Sequence, residues 1–218
     1  MSFMNPDLRS VFRKMIPLLV SPEGLRVLVI GGGPVALRKC MHFEGSDITV
    51  VSEEAVPGIE AAAGSVIKKK TTAQEISGMM DGFDIIVAAT DDAAMNAEIR
   101  DEAVRRGLGV NSAHGGGNVV IPSVLKRKGY TVSVSTEGKL PAFPPFLVRE
   151  LDAFLDGRFD AMFSVLAESR RMCAGKGTQK ERSDFLKRVA CDPEVDRLVK
   201  TGDTASALER VKTLGVPI

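Results

Sequence analysis

Gly31-Gly32-Gly33-Pro34-Val35-Ala36 is the segment of this 218-residue chain whose residue types most directly imply chemistry. It fits the pattern G-x-G-x-x-G/A, follows the apolar run Val27-Leu28-Val29-Ile30 at once, and opens a stretch whose apolar positions suit a helix. In that setting the pattern binds the pyrophosphate of a dinucleotide. Gly31 permits the tight turn, Gly33 has no Cβ and lets the chain approach the phosphates, and Ala36 is small enough for close strand-to-helix packing. Backbone N–H groups of the glycines and of Val35, with Pro34 presetting the helix start and the positive end of the helix dipole behind it, supply the attraction. An acidic residue about twenty positions on is expected to hold the adenine ribose. Glu53 stands there, next to Ser52, and with Glu54 beside it a 2′-phosphate is repelled, so NAD rather than NADP is the expected cofactor. Lys68-Lys69-Lys70 is the cationic run that pulls the other way.

Further polar candidates follow two later apolar runs. Thr90 and Asp91 come after Asp84-Ile85-Ile86-Val87-Ala88-Ala89, and Asn111 lies in Val110-Asn111-Ser112. If both runs are strands of one parallel sheet, these residues sit at its carboxyl edge, where cofactor crevices form, as contacts on the nicotinamide side. Asp91 or Asp92 also reads as the N-cap of a helix over residues 92–106, stopped by Gly107.

The elements that must position these groups follow from periodicity. The continuous β-branched and apolar runs mark strands buried on both faces of a parallel sheet. A helix over residues 35–43, a second strand at Ile48-Thr49-Val50-Val51, a weak helix over residues 59–63 and a strand near Val66-Ile67 complete a Rossmann-type α/β body. After Gly115-Gly116-Gly117 the pattern changes. Val119-Val120-Ile121 and Tyr130-Thr131-Val132-Ser133-Val134-Ser135 alternate around a polar turn at Lys126-Arg127-Lys128-Gly129, which predicts a strand pair. From Pro145 onward the spacing of Phe146, Leu147, Leu151, Phe154 and Leu155 is helical, with breaks near Gly175-Lys176-Gly177 and Gly202. The expected architecture is therefore an NAD-binding domain over residues 1–113, a small α+β segment over 114–150, and a helical C-terminal domain over 151–218.

Composition excludes several classes. With 29 Lys+Arg against 28 Asp+Glu there is no global field to draw the chain to nucleic acid or an acidic membrane. No run of about 18 apolar residues spans a bilayer, and Met15-Ile16-Pro17-Leu18-Leu19-Val20 is too short for the apolar region of a signal peptide. Cys40, Cys173 and Cys191 lack the paired spacing of a zinc site, and their odd number suits a reducing, cytoplasmic compartment. No metal site is expected.

The segment Val27-Leu28-Val29-Ile30-Gly31-Gly32-Gly33-Pro34-Val35-Ala36-Leu37-Arg38-Lys39 resembles the opening of precorrin-2 dehydrogenases, including the dehydrogenase/ferrochelatase module of siroheme synthases. The likeness continues through Ala88-Ala89-Thr90-Asp91-Asp92 with Asn96, then Val110-Asn111, Ile121-Pro122-Ser123, Val132-Ser133-Val134-Ser135-Thr136-Glu137-Gly138 and Phe146-Leu147-Val148-Arg149-Glu150-Leu151. It covers roughly residues 15 to 155. The resemblance implies NAD-dependent oxidation of precorrin-2 to sirohydrochlorin, a tetrapyrrole substrate and a homodimer whose interface is formed by the segment after the Rossmann body.

Many family members carry an Asp three residues after the Asn of the Val-Asn motif, as the candidate for acid/base work; this chain has His114 there. An imidazole titrating near neutrality can serve as a general base. The resemblance also places Ser135 near the tetrapyrrole. Asn118, beside the glycine run, is a second candidate contact, and Lys126, Arg127, Lys139 and Arg149 are candidate partners for substrate carboxylates, with Lys139 and Arg149 favoured. No methyltransferase module follows, so a single-function dehydrogenase is expected. The alternatives are the same enzyme with sirohydrochlorin ferrochelatase activity, and a non-catalytic dinucleotide-sensing regulatory domain.

Overall fold

The computed structural model describes residues 15–217, so the first fourteen residues of the expected N-terminal domain lie outside it. The chain divides between Ile121 and Pro122 into two compact units.

The first unit is built on five parallel strands, β1 (Arg26–Ile30), β2 (Asp47–Ser52), β3 (Ser65–Lys68), β4 (Ile85–Ala88) and β5 (Gly109–Ser112), in the order β3-β2-β1-β4-β5. Alternate residues of the apolar runs serve opposite faces. Val27, Val29, Val50 and Val87 pack with Ala36, Cys40 and Ile59 of helices α1 (Pro34–His42) and α2 (Ile59–Ala62). Leu28, Ile30, Ile86 and Val110 pack on the other side with Ile76, Met80, Ile99 and Ala103 of α3 (Ala73–Met79), its C-cap and α4 (Ala93–Arg105). Leu28 is fully buried, and truncating such a leucine to alanine costs about 2–5 kcal/mol. The strand order reverses between β1 and β4, and their carboxyl ends are where a doubly wound sheet opens a crevice. The Rossmann-type reading of residues 27–112 is thus borne out. Helix α3 was not anticipated, although Thr72 and Glu75 form a capping box at its start: the Glu75 N–H donates to Thr72 Oγ1 at 3.3 Å and the Thr72 N–H to Glu75 Oε2 at 2.9 Å.

The second unit opens with an antiparallel pair, β6 (Ser123–Lys126) and β7 (Thr131–Val134). This corrects the expected pairing of Val119-Val120-Ile121. The Val119 N–H donates to the Val110 carbonyl at 3.0 Å, so that run is tied to β5, and Ser123 takes the place opposite Val134. Helix α5 (Phe143–Phe154) packs on the pair, and α6 (Gly157–Met172), α7 (Gln179–Cys191), α8 (Pro193–Lys200) and α9 (Thr204–Lys212) surround a core containing Val165, Phe185, Val189, Val195 and Val211. Besides the expected breaks at Gly175 to Gly177 and Gly202, the helices part at Asp156 and Asp192. Each aspartate caps the helix that follows, accepting from Arg158 N–H at 3.0 Å and from Val195 N–H at 2.9 Å respectively. Among the described residues no helix is long and apolar enough to cross a membrane.

Candidate active site

A cleft of about 670 Å³ opens at the carboxyl ends of β1, β2 and β4, lined among others by Gly31, Gly32, Gly33, Ser52, Glu53 and Thr90. The three glycines do different work. Gly31 has φ +115°, and a Cβ there would lie 2.3 Å from the Ala89 carbonyl oxygen, so the turn off β1 passes directly under the end of β4. Gly32, which the sequence reading left without a role, is held more tightly still. Its Cβ would fall 1.8 Å from the Glu54 carbonyl oxygen and 2.6 Å from Ser52 Oγ. The strap over residues 52–56 is fixed there by the Val56 N–H donating to the Gly32 carbonyl at 2.8 Å and by Ser52 Oγ donating to the Glu54 carbonyl at 2.6 Å. Gly33 is the opposite case: a Cβ there meets nothing within 4 Å.

Gly33 is the N-cap of α1, with no side chain satisfying the helix end. Val35 and Ala36 in the first turn have no carbonyl four residues back to receive their N–H groups in the helix, whereas Pro34 has no N–H and sets the entry angle. Open space in front of free N–H groups at a helix start is what a phosphate requires.

Beyond the end of β2, Glu53 is exposed and lies 3.7 Å from Lys70 Nζ, with both residues on the cleft. Lys69 also reaches the cleft, but its ammonium bonds Glu75 at 2.6 Å. That ammonium, and after it the Thr72 N–H, holds the Glu75 carboxyl below its ordinary range. Lys68 pairs with Glu60 at 2.8 Å.

At the β4 end, Asp92 caps α4, accepting from Ala94 N–H at 2.8 Å and Met95 N–H at 3.0 Å. Asp91 is therefore relieved of capping and faces the cleft. Thr90, also on the cleft, is clasped by Asn96, a wholly buried residue of α4. Asn96 accepts the Thr90 N–H at 3.1 Å and donates to the Thr90 carbonyl at 2.8 Å, and its Nδ2 stands 2.8 Å from His114 Nδ1. Sequence reasoning used Asn96 only as part of a resemblance and gave it no role. The His114 backbone is anchored by donation to Ser112 Oγ at 3.3 Å, and the residue as a whole is exposed.

Asn111 is buried at the end of β5 and outside the cleft lining. Its Nδ2 donates to the Val119 carbonyl at 2.9 Å and its Oδ1 has no hydrogen-bond partner. Asn118 spends its amide on β5, with Oδ1 accepting from Val110 N–H at 2.6 Å and Nδ2 donating to the Leu108 carbonyl at 2.9 Å. Ser135, Lys139 and Arg149 lie on the second unit, all exposed. Ser135 Oγ accepts from Glu137 N–H at 2.9 Å, Lys139 pairs with Glu137 at 3.0 Å, and Arg149 pairs with Glu150 at 3.2 Å and lies over the Phe146 ring. Among the described residues no three His, Cys, Asp or Glu side chains come together as a metal site.

A family model described as "Putative NAD(P)-binding" matches residues 18–123. The precorrin-2 dehydrogenase of Bacillus subtilis (strain 168) is 40% identical over 162 residues, covering 72% of this chain and 99% of that protein. The siroheme synthase of Pseudomonas fluorescens (strain SBW25) is 28% identical over 212 residues, 94% of this chain but 45% of that protein, so the chain spans less than half the length of that relative. The precorrin-2 dehydrogenase of Methanosarcina barkeri (strain Fusaro / DSM 804) is 27% identical, covering 80% of this chain and 82% of its own. A solved structure of "SirC, precorrin-2 dehydrogenase" superposes with a TM-score of 0.71 at 24% identity, over 91% of this chain and all of the other, and has the same fold. With that glycine cradle, and with a relative matched along nearly its whole length at this identity, the chain belongs to the precorrin-2 dehydrogenase family.

Proposed function

We propose that this protein oxidises precorrin-2 to sirohydrochlorin, with NAD⁺ as hydride acceptor. The observation that carries the reading is the 40% identity to a precorrin-2 dehydrogenase over 99% of that protein. The open space at Gly33, at the start of α1, supports it with a place for the dinucleotide's phosphates. When bound, NAD⁺ supplies a nicotinamide ring that takes up a hydride, while a proton from the tetrapyrrole goes to water.

The chain's own residues bind and orient. The backbone of Gly31, Gly32 and Gly33 and the first-turn N–H of Val35 hold the pyrophosphate, with Pro34 fixing the helix entry and Ser52 bracing the strap. Glu53 accepts from the ribose hydroxyls, and its carboxylate favours NAD over NADP. Thr90 and Asp91 offer polar groups on the nicotinamide side, while Asn111, buried and off the cleft lining, ties β5 to the Val119 carbonyl. Ser135, Lys139 and Arg149 are the contacts we assign to the substrate's polar groups and carboxylates. The role of His114 depends on which ring nitrogen carries its proton.

We further propose a homodimer. Its support is the exposure of Val124, Leu140, Phe143, Phe146 and Phe154 on and around β6 and α5, more apolar surface than a lone pair of strands and a helix ordinarily leaves in water. Free thiols at Cys40, Cys173 and Cys191 support a cytoplasmic setting. The test is anaerobic absorbance with precorrin-2 and NAD⁺, followed by Fe²⁺ once the first change is complete. NAD⁺-dependent formation of sirohydrochlorin is expected. A metal-dependent second step faster than the enzyme-free control would add chelatase activity. No oxidation with NAD⁺ or NADP⁺, in a protein that still binds dinucleotide, would overturn the reading in favour of a sensing domain.

A further inference from the structure

We infer that buried Asn96 locks His114 in the Nε2–H tautomer, so that its imidazole presents a hydrogen-bond donor to the substrate instead of a general base. The orientation of the Asn96 amide is set by two main-chain groups of fixed polarity. Its Oδ1 accepts the Thr90 N–H at 3.1 Å and its Nδ2 donates to the Thr90 carbonyl at 2.8 Å. Turning the amide over would set NH₂ against N–H and oxygen against oxygen. Thr90 Oγ1, 2.7 Å from Asn96 Oδ1, adds a further donor to the same oxygen.

The second hydrogen on Nδ2 therefore faces His114 Nδ1 at 2.8 Å, and Nδ1 must accept it. A neutral imidazole has one donor nitrogen and one acceptor, so the proton is on Nε2. This is the reverse of the usual arrangement for a histidine base, in which Nδ1–H donates to a carbonyl or carboxylate and leaves the Nε2 lone pair free. The loop holds the ring in place. The Ala113 N–H donates to the Ala88 carbonyl at 2.8 Å, and the His114 N–H donates to Ser112 Oγ at 3.3 Å. Through Thr90, Asn96 ties this ring to the lining of the cleft.

The inference rests on the function proposed above for what the donor meets, namely a carboxylate side chain of the tetrapyrrole. It assigns no proton transfer to His114: the proton released on oxidation leaves to water. Asn96 is on this account a positioning residue, acting through the ring.

The test is a long-range ¹H–¹⁵N correlation spectrum of the full chain with labelled histidine, at a pH where the ring is neutral. The chain has two histidines, His42 and His114, and His42→Gln assigns them. The expected result is the Nε2–H pattern for His114. An Nδ1–H pattern, or the average of an equal mixture, would overturn the inference without any variant being needed. Asn96→Asp, whose carboxylate can only accept, should convert His114 to an Nδ1–H form. In turnover, His114→Ala should raise KM for precorrin-2 about tenfold or more, the loss of one hydrogen bond to a charged group, with a smaller change in kcat. His114→Gln, which keeps a donor, should recover most of that loss; a glutamine variant as impaired as the alanine variant would refute the donor role. Failure of the wild type to oxidise precorrin-2 would remove the proposed function while leaving the tautomer intact, so the two failures are distinguishable.

Discussion

Gly33→Asp should separate the stability of the fold from its ability to bind a dinucleotide, moving the two in opposite directions. Gly33 sits at the N-cap of α1 with φ −83° and ψ −177°, an extended conformation that aspartate adopts readily, and a Cβ there touches nothing within 4 Å. The new side chain therefore fits. It can accept from the first-turn N–H groups, which now have no side-chain cap, and it places a negative charge at the positive end of the helix. Cap and dipole together are worth about 0.5–1 kcal/mol over glycine, or a rise of about 1–4 °C in Tm for a chain of this size.

The same carboxylate occupies the space assigned to the pyrophosphate. Two unit charges about 4 Å apart near a protein surface repel by about 4 kcal/mol, close to a thousandfold in Kd. Because the chain has no tryptophan, NADH fluorescence can be followed without interference from indole emission. The expected result is a Tm equal to or above wild type with NADH binding weakened by about a thousandfold or lost. Gly33→Ala, which adds only a methyl group to open space, should weaken binding far less. An aspartate variant that folds normally and binds NADH within about threefold of wild type would refute the placement of the phosphates at this helix start.

Gly32→Ala should behave differently from either Gly33 variant, because its Cβ would lie 1.8 Å from the Glu54 carbonyl oxygen; displacement of the strap should cost about 1–3 kcal/mol, typical of overpacking, and is read from the melting curve without ligand. Glu53→Gln should remove the ribose acceptor and the charge facing Lys70, raising KM for NAD⁺ and lowering it for NADP⁺; an unchanged NAD⁺ to NADP⁺ ratio of kcat/KM would show that Glu53 does not discriminate. In the second unit, the Arg210 guanidinium, followed by the Val195 N–H, brings the Asp192 carboxyl down to about 2. A carboxyl depressed in the folded state contributes stability that is complete above its ordinary pKa, near 3.8, and is lost as the pH falls toward 2. Asp192→Asn should therefore abolish that part of the acid sensitivity, and Asp192→Ala should cost about 1–3 kcal/mol at neutral pH through the lost cap and the orphaned Arg210. The single tyrosine, Tyr130, stacks obliquely near Phe163 and makes intrinsic fluorescence a reporter of this unit alone.

What could be read from the sequence was what is local. The β1 turn and α1 need only a dozen consecutive residues, and their apolar runs and glycines specify them without help from the rest of the chain. Asn96 and His114 are eighteen positions apart, and nothing in either residue's neighbours says that an amide on a helix will meet a ring on a loop. Gly32 likewise looked interchangeable with any residue in its motif; its requirement comes from a strap twenty residues later. The misplaced strand at residues 119–121 has the same origin. Val119-Val120-Ile121 has the composition of a strand, but tertiary hydrogen bonds to Val110 and Asn111 had already claimed its backbone. Helix α3 is the exception, since the spacing of Thr72 and Glu75 was a local signal that went unused.

Asn118 has a consequence beyond the loop it belongs to. A parallel sheet ends in a row of unanswered peptide groups, a standing invitation for another chain to add a strand. On the β5 side, Asn118 offers its amide to Val110 N–H and the Leu108 carbonyl as though it were the peptide unit of a sixth strand, and Val119 N–H takes the Val110 carbonyl. One side chain and one turn of backbone thus finish the sheet at five strands, blunting that border against aggregation and domain swapping.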